Sequence, residues 1–212
     1  MTKKVSVAIA GNIGAGKSAL TRLIADHFNW TPFYEAVDDN PYLADFYDDM
    51  RRWSFHSQIF FLSRRLRLLR HIVNHPQSVV QDRTIYEDAE VFARNLHERG
   101  NMTARDFQVY RGLYEEYIQF LPTPDLVIYL KASIPTLLER IRRRGRDFEQ
   151  EVSPLYLQQL NELYNAWIDD FTLCPVLVLP ADDLDFVRSN DDFLAIAQRI
   201  EEKLREPARA FT

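Results

Sequence analysis

The chain has 212 residues, of which 46% are hydrophobic, and it carries a formal net charge of −5 at pH 7. Such a chain can bury one sizeable core, so we expect a single domain over residues 1–212, and its acidic balance argues against general binding to nucleic acid or anionic membranes. Its single cysteine, Cys174, excludes an internal disulfide and, with no apolar run of membrane-spanning length, predicts a soluble cytoplasmic protein.

The first predicted elements are a strand at Val5–Ala10 and a helix at Ser18–Phe28, joined by a glycine-rich loop. The loop reads Gly11-Asn12-Ile13-Gly14-Ala15-Gly16-Lys17-Ser18, with Ala19 as the next residue of the predicted nucleotide-binding set. A strand–GxxxxGK(S/T)–helix arrangement presents backbone N–H groups and a helix N-terminus to phosphate oxygens. Lys17 would neutralise the β- and γ-phosphates, and the Ser18 hydroxyl would bind Mg²⁺. The pattern therefore predicts a site for a nucleoside triphosphate.

Short apolar runs alternate with longer helical patterns along the rest of the chain, as is typical of βαβ units. The later strands are predicted at Phe33–Val37, Ser78–Gln81, Leu126–Leu130 and Val176–Leu179. The later helices are predicted at Trp53–Val73, Asp88–Arg99, Thr103–Phe120, Pro135–Arg144, Pro154–Phe171 and Asp191–Arg205. We therefore expect an α/β fold with a five-stranded parallel sheet flanked by helices, and ligands beyond the carboxyl ends of its strands.

Acidic residues stand at the ends of two predicted strands. Glu35, at the end of the second strand, could take a proton from an attacking hydroxyl or contact a Mg²⁺-bound water; a solvated strand-end glutamate is the alternative. Asp82 and Arg83 follow at the end of the third strand. Asp82 could be an acid near the metal, and Arg83 could clamp a phosphoryl oxygen; a strand-end salt bridge is the alternative. Asp88 begins a predicted helix, where an acid at the N-terminus needs no further role.

Gln58 and Arg65 are seven residues apart on the helix predicted at Trp53–Val73, so they share a face. Most of the aromatic residues around them are expected to pack in the core, the default for an apolar stripe. A polar pair that faces an aromatic-walled space suits the hydrogen-bonding edge of a nucleobase, whose rings would stack on the aromatics.

Five arginines lie within the segment Arg140–Arg146. In an acidic chain with a phosphate loop this segment favours a mobile lid over the triphosphate, rather than a solvated helix face or a nucleic-acid patch. Arg140 and Arg144 are four apart and would face one way as phosphate clamps, whereas Arg142 and Arg143 would face solvent. The five histidines show no metal-ligand spacing.

Taken together, these motifs resemble the deoxynucleoside kinase family over nearly the whole chain. The matching stretches are GNIGAGKS at Gly11–Ser18, YE at Tyr34–Glu35, Tyr47 followed by RWSF and Gln58, DRTIYED at Asp82–Asp88, and RRRGRDFEQE at Arg142–Glu151. Phosphate loops occur in many families, but the combination of the other stretches is far more specific. The resemblance implies a P-loop kinase fold and ATP-dependent 5′-phosphorylation of a deoxynucleoside with Mg²⁺.

The resemblance also implies roles for single residues on the acceptor side. Glu35 would contact the 5′-hydroxyl as general base, with Asp82 as a metal-linked acid or alternative proton acceptor and Arg83 holding the 5′ end. The sugar 3′-hydroxyl would be bound by Tyr47 and Glu149. The base would be read by Gln58, Asp88 and Arg65.

On the donor side, the resemblance implies a lid formed by Arg140, Arg144 and Arg146, and a loop near the ATP adenine at Asp185-Phe186. Magnesium would lie near Ser18, Glu35 and Asp82. Together with the long apolar helix at Trp53–Val73, the resemblance also suggests a homodimer, with pairing to a paralogue as the alternative.

The chain departs from the animal enzymes of this family at two positions, with Asp rather than Glu at 82 and Ser57 where those enzymes carry an aromatic residue. At both positions the residue found here is more like that of the bacterial deoxyadenosine and deoxyguanosine kinases. A purine deoxynucleoside is therefore the expected acceptor. The alternatives are a nucleoside monophosphate kinase of the thymidylate kinase type and a nucleotide-binding regulatory subunit without turnover. Glu35 and the segment from Tyr47 to Gln58 favour a nucleoside acceptor.

Overall fold

The computed structural model describes residues 4–35, 39–146, 149 and 152–206. A five-stranded parallel sheet runs through the described part, in the order β2-β3-β1-β4-β5. The strands are β1 Ser6–Gly11, β2 Thr31–Phe33, β3 Val79–Asp82, β4 Leu126–Lys131 and β5 Val176–Pro180. The predicted parallel α/β sheet is therefore confirmed.

The inner strands β1 and β4 are mostly apolar because helices cover both faces of the sheet, whereas β3 ends in the buried polar residues Gln81 and Asp82. Residues 7–10 of β1 and 126–128 of β4 are completely buried. In register, Ile9 of β1 lies opposite Asp82 of β3. The carboxyl end of β3 therefore lies beside the start of the glycine-rich loop, which follows β1.

Helices pack on both sides of the sheet and account for most of the remaining described residues. They are α1 Lys17–Phe28, α2 Leu43–Asp48, α3 Met50–Asn74, α4 Ile85–Glu87, α5 Arg94–Glu98, α6 Ala104–Ile118, α7 Ile134–Arg144, α8 Pro154–Asp170 and α9 Asn190–Arg205. The side chains of Thr103 and Ser189 accept the backbone N–H three residues on, which caps α6 and α9. No described helix combines the length and hydropathy needed to cross a bilayer.

The second strand differs from the prediction of Phe33–Val37. The observed β2 ends at Phe33, which pairs with Gln81 of β3, and Ala36 and Val37 lie outside the described residues. Pro32 fits because β2 is an edge strand, where a missing N–H is tolerated. Beyond Phe33 the side chain of Glu35 turns to two arginines, so the chain leaves the sheet earlier than the apolar pattern suggests.

The helix predicted at Asp88–Arg99 also differs. It begins earlier, at Ile85, and consists of α4, a π-helical segment at Asp88–Ala93, and α5. Thr84 and Glu87 form a capping box, in which each side chain accepts the backbone N–H of the other. The short helix α2 was not predicted at all.

Candidate active site

A cleft of about 810 Å³ opens beyond the carboxyl ends of the central strands, where an open parallel sheet is expected to bind its ligand. It is lined by Ile13, Gly14, Lys17, Ser18, Glu35, Leu43, Phe46, Tyr47, Gln58, Phe61, Asp82, Arg83, Asp88, Phe92, Arg144, Arg146, Glu149 and Tyr156. The described structure therefore brings the phosphate loop and most predicted acceptor-side residues to one place.

The phosphate loop turns through glycines that no other residue could replace without strain. Gly14 and Gly16 have φ angles of 82° and 103°, in the left-handed region. A Cβ on Gly14 would lie 2.9 Å from the carbonyl oxygen of Leu137. The loop then enters α1, whose first N–H groups are free to meet phosphate oxygens.

Lys17 is buried inside this loop. Its Nζ donates to the carbonyl oxygens of Gly11 and Asn12 at 2.8 and 3.0 Å. Burial, and after it the nearby Arg83 guanidinium, lower the pKa of Lys17 to about 8, although the nearby carboxylates act in the opposite direction. The ammonium group is thus held in place by weak carbonyl partners that a phosphate can displace.

The carboxylate of Asp82 lies beside the Ser18 hydroxyl, which donates to Asp82 Oδ2 at 2.5 Å. The other oxygen, Asp82 Oδ1, is buried and has no hydrogen-bond partner among the described residues. Mg²⁺ is usually held by one or two carboxylates, a hydroxyl and substrate phosphates rather than by an all-protein cage. Within the described ranges no cluster of three or more acidic, histidine or cysteine side chains could hold a metal, so Ser18 and Asp82 are the donors that fit this ion.

Glu35 is clamped between two guanidinium groups. Arg83 Nε donates to Glu35 Oε2 at 2.9 Å, and Arg65 Nη2 donates to Glu35 Oε1 at 2.8 Å. Burial alone would raise the pKa of Glu35, but Arg83, Arg65 and Lys17 together lower it to about 2. The carboxylate is therefore ionised and held in one orientation at the mouth of the phosphate loop.

Arg83 has an unusual backbone for its residue type, because its φ of 73° is in the left-handed region. Its guanidinium lies over the ring of Phe92, with Cζ 4.4 Å from the ring centroid. Its Nη1 donates to the Tyr164 hydroxyl at 3.2 Å. Side-chain partners on three elements hold this strained residue in place.

The far end of the cleft carries a polar strip between aromatic side chains. Arg65 Nε donates to Asp88 Oδ2 at 3.0 Å, so Arg65 joins Asp88 to Glu35. Burial raises the pKa of Asp88, while Arg65 lowers it. Gln58 is buried on the same face of α3 as Arg65, and its amide has no hydrogen bond to another described residue. Phe61 and Phe92 also line the cleft.

Tyr47 and Glu149 also line the cleft. Glu149 is buried and pairs with the guanidinium of Arg144 and, at 3.4 Å, with that of Arg146. Burial raises the pKa of Tyr47, and Tyr156 and Glu149 raise it further, so the Tyr47 phenol stays protonated. The predicted lid segment Arg140–Arg146 is described, whereas residues 147, 148, 150 and 151 of the matching stretch Arg142–Glu151 lie outside the described residues.

Arg140 and Arg144, predicted as phosphate clamps, make different contacts in this structure. Arg144 lines the cleft, whereas Arg140 donates to the carbonyl oxygens of Ala15 and Ala181 at 2.9 and 2.7 Å. Phe186 is buried beside the phosphate loop. A Cβ added to Gly16 would lie 3.2 Å from the Phe186 ring. Arg140 therefore joins the outer side of the phosphate loop to the loop that contains Asp185 and Phe186.

Ala19 is half-buried in the first turn of α1 and packs against the core.

Several residues of the site were not predicted from the sequence, among them Phe92, which lines the cleft, and three polar residues. Glu87 is completely buried and accepts the Gly11 N–H at 3.3 Å, Tyr164 hydrogen-bonds to Glu87, and Tyr156 lines the cleft. The spacing Thr84-x-x-Glu87 is a capping-box signal that could have located the first of them. No signal within the local sequence points to the two tyrosines.

Comparisons with known proteins agree with this geometry. The family model described as deoxynucleoside kinase matches residues 7–205. The deoxyadenosine/deoxycytidine kinase of Bacillus subtilis is 38% identical over 200 residues, which cover 93% of this chain and 92% of that protein. The deoxyguanosine kinase of the same organism is 36% identical over 204 residues, which cover 92% of this chain and 96% of that protein.

A solved structure of deoxyadenosine kinase from M. mycoides, with the products dCMP and a flexible dCDP bound, superposes on this chain with a TM-score of 0.84. It is 29% identical, and the match covers 93% of this chain and 100% of that one. The same kinase with bound dATP superposes with a TM-score of 0.83, at 29% identity and over 93% of this chain and 99% of that one.

Proposed function

The chain belongs to the deoxynucleoside kinase family, and from that premise we propose that its preferred acceptor is a purine deoxynucleoside, deoxyadenosine or deoxyguanosine. The reaction is ATP-dependent phosphorylation of a deoxynucleoside, which yields the 5′-monophosphate and ADP. One observation carries the assignment of the site: an ionised, oriented carboxylate, Glu35, opens into the same cleft as a complete phosphate loop.

Phosphoryl transfer depends mainly on positioning and on charge neutralisation, and this cleft supplies both. Lys17 moves from the carbonyl oxygens of its own loop to the β- and γ-phosphates, whose negative charge restores its full protonation. Glu35 accepts a hydrogen bond from the 5′-hydroxyl and takes its proton late, when the new P–O bond has made that hydroxyl acidic. A carboxylate with a pKa of about 2 is too weak a base to remove the proton earlier.

Magnesium fits next to Ser18 and Asp82. When bound there with ATP, the ion neutralises charge on the β- and γ-phosphate oxygens. Asp82 offers the buried oxygen that has no partner among the residues the structure describes, and Ser18 is already placed against the other oxygen. Glu35 already pairs with two guanidinium groups and is proposed to use its remaining acceptor capacity for the 5′-hydroxyl, so the proposed ligand set is narrower than the one implied by resemblance.

The base is proposed to lie between Phe61 and Phe92, with its polar edge towards Gln58 and the pair formed by Arg65 and Asp88. An unpartnered amide and a charged pair in an aromatic-walled space can each read donors and acceptors on a base. The purine preference is supported by the names of similar proteins, which include deoxyadenosine and deoxyguanosine kinases. Incubation with equimolar deoxyadenosine, deoxyguanosine, deoxycytidine and thymidine tests it, since purine monophosphates should form first; a pyrimidine product in excess would contradict it.

The sugar is proposed to lie between the base and the phosphate loop, with its 3′-hydroxyl bonded to Tyr47 and Glu149. The salt bridges of Glu149 to Arg144 and Arg146 support this, because they tie a sugar contact to the arginines proposed to close over the phosphates. The adenine of ATP is proposed to lie near Arg140, Asp185 and Phe186, on the outer side of the phosphate loop.

A homodimer is proposed to form through α6. Val109, Leu113 and Tyr117 are exposed and four residues apart, which places them on one side of this helix, and Phe120, just beyond its end, is exposed as well. Along α3, where more apolar surface was expected, Val73 is the one exposed large apolar residue. Changing Leu113→Glu should give monomers in sedimentation, whereas Val187→Glu, at an exposed apolar residue elsewhere, should not. Monomeric wild type, or an unchanged dimer in the first variant, would contradict this interface.

Single-domain organisation and cytoplasmic location are parts of the same proposal. One sheet and one continuous buried core support the first. The single cysteine, Cys174, is buried and not in a disulfide, as is usual for proteins of a reducing compartment, and this supports the cytoplasmic location.

A further inference from the structure

Helix α8 holds the first two residues of the phosphate loop through side chains. Asn12 Nδ2 donates to Asn161 Oδ1 at 2.7 Å and to the Leu157 carbonyl oxygen at 2.9 Å. One turn further along α8, the Tyr164 hydroxyl lies 2.9 Å from the Gly11 carbonyl oxygen. The start of the loop therefore makes hydrogen bonds to α8 as well as to the sheet.

The Tyr164 hydroxyl is completely buried and has three partners. It lies 2.5 Å from Glu87 Oε2 and 2.9 Å from the Gly11 carbonyl oxygen, and it accepts a hydrogen bond from Arg83 Nη1 at 3.2 Å. A phenol has one proton, so the Glu87 carboxylate and the Gly11 carbonyl oxygen share it as acceptors, while a lone pair of the oxygen accepts from Arg83. Burial raises the pKa of Tyr164, and Glu87 raises it further, so the hydroxyl remains a donor.

Glu87, like Tyr164, contacts both Gly11 and Arg83. Its Oε2 accepts the Gly11 N–H at 3.3 Å and lies 3.7 Å from Arg83 Nη1. Its Oε1 accepts the Thr84 N–H at 2.7 Å, which fixes the carboxylate at the start of α4. Glu87 and Tyr164 therefore contact both the backbone of Gly11 and the guanidinium of Arg83.

We propose that the pair formed by Glu87 and Tyr164 couples the ATP site to the deoxynucleoside site. Gly11 begins the loop that receives the phosphates, and Arg83 orients the Glu35 carboxylate that receives the 5′-hydroxyl. The two residues touch neither substrate; they are positioning residues that act through Gly11 and Arg83. The inference rests on the proposed function for the assignment of ATP and deoxynucleoside to these two parts of the cleft.

The physical reason is that one buried network supports both sites. Arg83 has a strained backbone, so its side-chain partners determine where its guanidinium lies. A deoxynucleoside that fixes Glu35 and Arg83 also fixes the hydroxyl that bonds to Gly11. The phosphate loop then needs less ordering when ATP binds, and by linkage ATP must favour the deoxynucleoside by the same factor.

The test is the affinity of a non-hydrolysable ATP analogue, measured by calorimetry with and without saturating deoxyadenosine. In the wild type we expect deoxyadenosine to tighten analogue binding by about 5- to 150-fold, the usual range of coupling between sites. Tyr164→Phe should bring this ratio close to one. Tyr129→Phe is the matched control, since Tyr129 is buried, stacks on Tyr164 with ring centroids 5.7 Å apart, and bonds instead to Asn165.

Three results would overturn the coupling: no effect of deoxyadenosine in the wild type, an unchanged ratio in Tyr164→Phe, or an equal loss in Tyr129→Phe. Glu87→Gln gives the same readout should Tyr164→Phe fail to fold, because it keeps the side-chain size and removes the charge. If the wild type bound no deoxynucleoside at all, the proposed function would fail, and the coupling with it. Analogue and deoxynucleoside binding without mutual effect would overturn only the coupling.

Discussion

Arg83 Nε lies 2.8 Å from Oε1 and 2.9 Å from Oε2 of Glu35, so the guanidinium contacts both oxygens of the carboxylate. The contact orients Glu35 and, with Arg65 and Lys17, keeps its pKa at about 2. The interaction stabilises the fold above the ordinary glutamate pKa and is lost as the pH falls through about 2. Ionisation of Glu35 therefore does not limit the reaction at any pH near neutrality.

Replacing Glu35→Gln should leave ATP binding intact and reduce kcat by about 10²–10⁴, the usual contribution of general-base assistance. The amide keeps the size of the side chain but cannot accept the 5′-hydroxyl proton. Steady-state turnover and calorimetric ATP binding measure the two effects. Glu98→Gln is the control, because Glu98 is half-exposed on α5 and pairs with Arg94. Near-normal turnover of the first variant would assign the proton to Asp82.

Binding of ATP should weaken as the pH rises above about 8, because burial lowers the pKa of Lys17 to that value in the free protein. Bound phosphates need the charged form, so above this pH the protein must take up a proton when ATP binds. Calorimetry in buffers of different ionisation enthalpy measures the uptake directly. In Lys17→Arg the cation stays charged, so the pH dependence should disappear. A flat wild-type profile would remove Lys17 from this role.

Tyr47→Phe should raise KM for the deoxynucleoside while leaving KM for ATP unchanged. A lost hydrogen bond to the sugar is worth about 0.5–1.5 kcal/mol, which corresponds to about 2- to 12-fold in KM. Tyr42→Phe is the control, since Tyr42 lies just before α2 and stacks on Trp53 outside the cleft. An unchanged KM for the nucleoside in the first variant would show that the Tyr47 hydroxyl does not contact the sugar.

Asp88→Asn should change the ratio of kcat/KM between deoxyadenosine and deoxyguanosine more than it changes KM for ATP. The substitution converts an acceptor-only carboxylate beside Arg65 into an amide that also donates, at the proposed base edge. Glu90→Gln, in the same π-helical segment and paired with Arg111, serves as control. Equal weakening of every nucleoside would make Asp88 a structural partner of Arg65 instead.

The parallel sheet could be predicted because its evidence is local: each buried strand is a short apolar run beside a helical pattern. The phosphate loop was equally readable, since Gly14 and Gly16 stand where the chain must adopt positive φ. The end of β2 was not readable in this way. Just beyond the end of β2, Glu35 pairs with Arg65 and Arg83, which lie 30 and 48 residues away in the sequence, and local patterns do not reveal such long-range contacts.

Other parts of the site escaped prediction for the same reason. A π-helical segment and an α-helix share one apolar pattern, so the turn that points Asp88 at Arg65 leaves no mark in the sequence. A buried glutamate is rare, and Glu87 is tolerated because Gly11 and Tyr164, 76 and 77 residues away, satisfy it. Arg140 and Arg144 share a helix, but the carbonyl oxygens of neighbouring loops decide where the first one binds.

The most direct test of the account is ADP release from Mg-ATP, measured with each of the four deoxynucleosides and, in parallel, with each of their monophosphates. The account predicts rapid release with deoxyadenosine or deoxyguanosine, and, because Glu35 is proposed to receive a 5′-hydroxyl, almost none with any monophosphate. Release only with a monophosphate would contradict the central claim and would remove Gln58 and Asp88 from their proposed roles. Bound ATP with no release under any condition would contradict it too, and would leave a nucleotide-binding protein without turnover.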